Sequence, residues 1–358
     1  MKKLNPKKII IVGLTLAGLS ITPGLRADVE ILVSGGNASS SVLFDRATNL
    51  FGGSFSATYG LSSGSIRTYV GTIPGHAGLG TVTLDFNLSG AVGGLNDIST
   101  GNPEARAQGG TFVPTVVDSS ASPDVVGVDP SQFTALATYV VPYVFIKNSN
   151  SADTAGITNL TQRQAALLES AGATLPATFF GGGSTNVIYF VGRNKDSAVR
   201  TEVDLNIQAN GFQTYTTNGL GQIYQDTTNV DLEGNVDPGQ VTGSGLLAVV
   251  RGITNSVGTV AVQNTGSGVT ILAYEGVAYS TNNLQNGSYP LWGDEKYYYL
   301  TSLNNANQLE VINTLYQSVT NAAFQTTSPV FVGKFVSYAN LKVTRNGDGG
   351  PIIPKPGY

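Results

Sequence analysis

Apolar positions along this chain fall into short runs, some alternating and some continuous, separated by turns rich in Gly, Ser and Asn. Val29, Ile31 and Val33 alternate and predict a short first strand over Asp28–Val33, followed by a turn at Ser34-Gly35-Gly36-Asn37. Ser39, Ser40 and Ser41 then offer N-caps to a helix carrying Leu43, Phe44, Ala47, Leu50 and Phe51 on one side. The Gly- and Ser-rich stretch Gly52–Gly80 reads as a hairpin or an inserted loop. From Thr81 a second strand alternates Val82, Leu84 and Phe86 and runs into Leu88-Ser89-Gly90-Ala91-Val92-Gly93-Gly94. Glycines there let backbone approach a ligand closely, and tight packing asks for the same residue. Another short apolar run, Phe112–Val117, ends at Asp118-Ser119-Ser120.

The second half of the chain repeats this rhythm. Tyr139–Ile146 is continuously apolar, which predicts a buried strand or a crossing between domains. Thr158–Ala171 fits an amphipathic helix capped by Thr158 or Asn159. Val187–Val191 predicts a buried strand closed by Gly192, then a polar turn Arg193–Ser197 and a helix from Ala198. Leu246–Gly252 suits helix or strand equally, Thr259–Val262 and Tyr297–Leu300 read as strands, Val269–Tyr274 as a buried run, and Gln308–Val319 as a helix. The Gly- and Pro-rich tail Asn346–Tyr358 reads as flexible. Strands alternating with helices predict an α/β protein with largely parallel sheets, whose ligands bind beyond the carboxyl ends of the strands. Taking the crossings near 140–146 and 269–274 as hinges gives lobe I from 28–140 with 272–358, and lobe II from 141–271.

Residues 1–27 read as an export signal rather than structure: four lysines, an apolar core from Ile9 to Ile21, and Leu25-Arg26-Ala27 as a loose cleavage site. That assignment predicts a periplasmic or secreted protein. Five of the 19 basic residues and none of the 23 acidic ones fall in this segment, so the remainder carries 14 against 23, a formal charge of −9. Such a balance argues against nucleic acid or an anionic membrane as partner, while a few local donors still suffice for a small anion. The chain has no cysteine, so it has no disulfide and no lipoprotein anchor site, and its single histidine is His76. One histidine and no cysteine remove most nucleophile–base pairs and most zinc sites, which argues against an enzyme. A G-x-S-x-G string at Gly60–Gly64 lacks the strand before and helix after it that a catalytic serine requires. Nothing points to a cofactor or a stable oligomer.

The Arg193 turn carries the clearest chemistry. Free N–H groups at a helix start point outward, the helix dipole favours negative charge there, and Arg193 adds a permanently charged fork matched to oxyanions. The plain alternative is a strand-to-helix connection capped by Asp196 or Ser197.

Order and spacing resemble the phosphate-binding proteins of bacterial ABC transporters, within the type II periplasmic binding fold, over most of the chain beyond residue 27. Ser34–Ser41 is similar to that family's first Gly-rich loop, Ser89–Gly94 to its second, and Val117-Asp118-Ser119 to its Ser-Asp-Ala-Pro loop. Arg193–Val199 aligns without gaps to its R-x-D-G-S-G-T loop. Glu275-Gly276-Val277 followed by Asn286-Gly287-Ser288-Tyr289-Pro290-Leu291 resembles its N-G-x-Y-P stretch, the most specific match. The resemblance implies two lobes around a cleft with two hinge crossings, a phosphate or related oxyanion as ligand, a transporter permease as partner, and a monomer. It implies that Arg193 pairs with the oxyanion, Ser197 donates its hydroxyl, and Ala198 and Val199 supply backbone N–H groups. Ser39 or Ser40 would give the first-loop hydroxyl, Ser89 the second, and Asp118 would accept from a protonated ligand. The sequence departs from the pattern at Lys195, Asp196, Ala198 and Val199, where the family has Asp, Gly, Gly and Thr; Ala91-Val92 separate Ser89 from the glycine pair as an insertion would.

Two other readings stand beside this one. A relative that has lost the small anion would act at a surface or on glycans, with Tyr289, Trp292, Tyr297, Tyr298 and Tyr299 offering stacking area or simply forming core. A hydrolase would draw on Asp231, Glu233 and Asp237, which are equally a solvated turn.

Overall fold

A computed structural model describes residues 28–62, 64–227 and 236–358. The expected export signal and the acidic residues Asp231 and Glu233 lie outside these described residues. The first strand, Val29–Gly35, pairs in parallel with Val82–Asn87 on one side and with Val116–Ser119 on the other. Gly52–Gly80 holds a hairpin, Ala57–Tyr59 with Ile66–Gly71, which extends the sheet antiparallel from Val82–Asn87 and contains Gly60 and Ser62 in its connection. On the far side the strand Trp292–Leu300 runs antiparallel to Val116–Ser119 and then to the first half of a 16-residue strand, Phe133–Asn148.

That long strand is what joins the two lobes. Its second half, Tyr143–Lys147, pairs antiparallel with Ser256–Ala261, which in turn lies parallel to Tyr189–Val191. The pairing partner of the long strand changes at Pro142–Tyr143. Val269–Ile271 still pairs with Ile146–Asn148, and Ala273–Tyr274 with Asn159–Leu160, so these residues stay with the second lobe. We place the return crossing at Leu291–Trp292 instead, where Tyr143 N–H donates to the Leu291 carbonyl and Tyr289 Oη to the Tyr143 carbonyl. The sheets are mixed rather than largely parallel: parallel pairs sit at the centre of the first lobe and at the outer edge of the second, and the strands that carry the chain between lobes run against them.

The helices follow the apolar spacing, with corrections at their starts. Ser40–Leu50 buries Val42, Leu43, Phe44, Ala47 and Leu50 as its pattern requires, but none of the three serines caps it by side chain. Ser39 has helical φ and ψ (−92° and −6°) as the end of a 3-10 turn, which turns its hydroxyl away from the N–H groups a cap would reach. The Gln162–Ala171 helix starts four residues after the expected Thr158, because Asn159–Leu160 is taken as a strand; Thr161 and Gln164 form its capping box. Leu246–Gly252 resolves as part of the helix Gly243–Gly252. The tail is docked rather than loose. Ile352–Pro354 pairs with Val343–Arg345, Asp348 accepts from Ser122 N and Oγ at 2.6 and 2.7 Å, and Arg345 donates to Asn206 Oδ1 at 2.7 Å.

The glycine pair expected in the second loop is inside the helix Ala91–Thr100. A Cβ on Gly94 would sit 2.3 Å from Ser34 Oγ and 3.2 Å from Val117 Cγ1, so packing of helix on sheet requires the bare backbone. Gly94→Ala is expected to destabilise by about 1–3 kcal/mol in denaturant titration despite the better helix propensity of alanine. The displaced Ser34 hydroxyl is the donor to buried Glu104 at 2.6 Å.

Candidate functional site

Between the lobes lies a small enclosed cavity of about 10 Å³, the room of about one water. It is walled by Gly36, Asn37 and Ala38 after the first strand, by Gly90 and Ala91 after Val82–Asn87, and by Ser120 after Val116–Ser119. Lobe II contributes Arg193, Ser197, Ala198 and Val199, and the strand Trp292–Leu300 contributes Glu295. These turns follow the carboxyl ends of strands, where ligands of open α/β sheets bind. The helices Ala91–Thr100 and Ala198–Ile207 present their first turns here, and neither N-cap residue, Gly90 or Ser197, uses a side chain on its helix.

Of the residues expected from sequence, Arg193, Ser197, Ala198 and Val199 thus meet at the cavity. Ser39, Ser40, Ser89 and Asp118 are not among its lining residues. Ser40 and Ser89 are half-buried, while Ser39 and Asp118 are fully buried.

Arg193 is 4 % exposed. Its Nε donates to the Gln240 carbonyl at 2.9 Å and its Nη2 to the Val241 carbonyl at 2.8 Å. Among the described residues no carboxylate pairs with it, and burial alone pushes its guanidinium down to about 10. Two backbone carbonyls thus orient the fork without neutralising it. Asp237 pins the same turn, accepting from Lys195 N at 2.7 Å and from Arg200 Nη1 at 3.4 Å, so it is a buried strut rather than part of a solvated loop.

Beneath the cavity the wall turns acidic. Asp118, Glu295 and Glu202 are all buried, and among the described residues neither oxygen of Asp118 or of Glu202 accepts a hydrogen bond. Burial pushes the Asp118 carboxyl up to about 7, against the opposing effect of the nearby Ser39 hydroxyl. Burial, with Asp118 beside it, holds the Glu295 carboxyl well above the ordinary carboxylate range. Sequence reasoning missed Glu295. The signal was a charged Asp294-Glu295-Lys296 interruption in an aromatic strand, with Glu295 in phase with buried Tyr297. The aromatic group is core: Tyr289, Trp292 and Tyr297 are fully buried and Tyr298 nearly so, which removes them as a sugar-stacking surface.

The lobes touch directly around the cavity. Val92 N–H donates to the Asp196 carbonyl at 3.1 Å, Ser41 Oγ to Gln263 Oε1 at 2.8 Å, and Gln263 Nε2 to the Asn37 carbonyl at 3.1 Å. Among the described residues no group of three His, Asp or Glu is placed to hold a metal ion, and no helix is long and apolar enough to cross a membrane.

No family model and no curated protein matches the sequence. Solved structures do match. A protein from Clostridium perfringens described as a phosphate ABC transporter substrate-binding protein, with bound phosphate, superposes with a TM-score of 0.57 at 12% identity, over 86% of this chain and 99% of that one. A phosphate-binding protein from Stenotrophomonas maltophilia gives 0.49 at 11% identity, over 87% and 91% of the two chains. An ABC-type phosphate transport receptor from Vibrio cholerae gives 0.48 at 13% identity, over 80% and 93%. The first of these likenesses establishes the fold as the α/β, two-lobed architecture of periplasmic binding proteins, with a cleft and two hinge crossings.

Proposed function

We propose that this chain is an exported solute-binding protein that captures phosphate or a related tetrahedral oxyanion between its lobes, for delivery to an ABC transporter. The observation that carries the reading is Arg193: a buried cation, oriented by two carbonyls, without a carboxylate partner among the described residues, on the wall of the interlobe cavity. A buried charge left unpaired is costly, and an entering anion supplies the missing partner. The first-turn N–H groups of the helix Ala198–Ile207 add donors and a favourable dipole. The acidic charge of the whole chain does not oppose this, because contact donors outweigh a distant diffuse field.

An oxyanion of five heavy atoms needs more room than one water, so the lobes must part at the Val92–Asp196 and Ser41–Gln263 contacts and reclose around it. The tightness of that cavity is also the observation that favours a second reading, a binding-fold relative whose lobes stay shut and whose partner is a surface or a glycan. Isothermal titration of residues 28–358, stripped of bound ligand, against phosphate at pH 7 decides between them. Saturable heat with one site per chain is the expected result; no heat with phosphate, sulfate or arsenate would leave the second reading.

A further inference from the structure

The carboxylate residue that lines the cavity is Glu295, not Asp118. Glu295 stands across from Tyr139 on the long strand, and Asp118 across from Tyr297, so both carboxyls and both phenols crowd the seam of three neighbouring strands. Glu295 is 2 % exposed and Asp118 is fully enclosed. The other polar and titratable groups facing them are Ser39 from the first helix, Glu202 from the Ala198–Ile207 helix, and Tyr143 further along the long strand. Among the described residues no cation bonds to either carboxyl; the cation on this cavity is Arg193 on the opposite lobe. Two carboxylates in contact inside a protein cannot both ionise, so an empty site at neutral pH holds one proton between them. Burial raises both groups, consistent with that count.

An incoming oxyanion changes the count again. The one proton of the empty pair lies on Glu295 and is donated to Asp118; turned to an incoming oxyanion, it leaves Asp118 a buried carboxylate without a donor, beside a further negative charge. We propose that oxyanion capture takes up one proton from solvent, leaving Asp118 O–H donated to Glu295 and Glu295 O–H donated to an oxygen of the ligand. This rests on the oxyanion-binding reading of the same site. It also defines the ligand class: the protein supplies the proton, so the ligand need not carry one, and a fully deprotonated oxyanion such as sulfate is accepted along with phosphate. A carboxylate that only accepts would reject sulfate.

Sulfate is the probe, because it does not titrate between pH 5 and 9. Its Kd, measured by isothermal titration, is expected to rise about tenfold per pH unit at the alkaline end. Heats in buffers of different ionisation enthalpy should report uptake of about one proton. In Glu295→Gln, whose amide donates without titrating, the proton uptake and the pH slope should both vanish. Should that variant fail to fold, the buffer series on the unaltered protein decides alone. A sulfate Kd constant from pH 6 to 9 without buffer-dependent heat overturns the proposal, as does an undiminished slope in Glu295→Gln. Phosphate binding with sulfate inert at every pH overturns it while leaving the oxyanion reading intact. No heat from either anion at any pH overturns both.

Discussion

Arg193→Met is expected to weaken oxyanion binding at least about 30-fold while leaving a folded protein. The guanidinium carries five N–H groups, of which two go to the Gln240 and Val241 carbonyls. The rest have no carboxylate among the described residues, and the side chain lines the interlobe cavity. Removing one partner of a buried, hydrogen-bonded charge pair costs about 2–5 kcal/mol in binding, which is roughly 30- to several thousand-fold. Stability responds to two opposed terms. The Val241 carbonyl loses its donor, at about 1–3 kcal/mol, and the Gln240 carbonyl keeps Asn194 N–H at 3.2 Å, while the cost of a buried cation disappears. Thermal unfolding should therefore shift by only a few degrees, and the binding loss would not be a folding defect. Binding within threefold of the unaltered protein would remove Arg193 from the site and leave it as a strut between its turn and Gln240-Val241. Arg193→Lys refines the test, since an ammonium keeps the charge without the fork and should recover only part of the affinity.

Stability should fall as pH rises from about 5 to 8, opposite to the usual gain of a protein whose carboxylates are paired. The cause is the set of carboxyls buried without cations. Burial pushes Asp118 up to about 7, and pushes Glu104, despite the Ser34 hydroxyl donated to it, up to about 8. A carboxyl with a raised value in the folded state binds its proton more tightly there than in the unfolded chain. Its contribution is intact below the unfolded value near 4 and is lost progressively as pH climbs to the folded value. Each shift of about three units corresponds to about 4 kcal/mol, a large part of the roughly 5–15 kcal/mol that holds a domain together. Thermal unfolding scans are expected to show a midpoint on the order of 10 °C lower at pH 8 than at pH 5. Glu104→Gln, which still accepts from Ser34, should recover part of that loss at pH 8 and little at pH 5. A midpoint that rises with pH would mean these carboxyls are ionised in the folded state and find donors that the geometry does not provide.

What the sequence determined about this protein was local. The strand and turn leading to Ala198 were legible because an apolar run, a glycine and a polar turn act over a dozen residues, and the helix begins at Ala198 as that pattern requires. The hairpin in Gly52–Gly80 and the helix ending at Val319 follow the same logic. The Arg193 turn was legible as a candidate anion site, since planar charge and helix-start amides are properties of that segment alone. The tertiary structure decided everything that depends on partners far along the chain. Ser39 and Ser197 look like caps, yet neither side chain caps its helix: the preceding turn holds Ser39 at helical φ and ψ, while Ser197 has the extended φ and ψ of a cap and still makes no such bond. The tail reads as flexible until Asp348 finds Ser122 more than two hundred residues away. Asp118 reads from sequence as a cavity residue, and the strand Trp292–Leu300 beside it puts Glu295 on the cavity wall instead. A charged residue reads as exposed because desolvation is costly; only packing of distant strands forces one into the interior, and no local pattern records that cost.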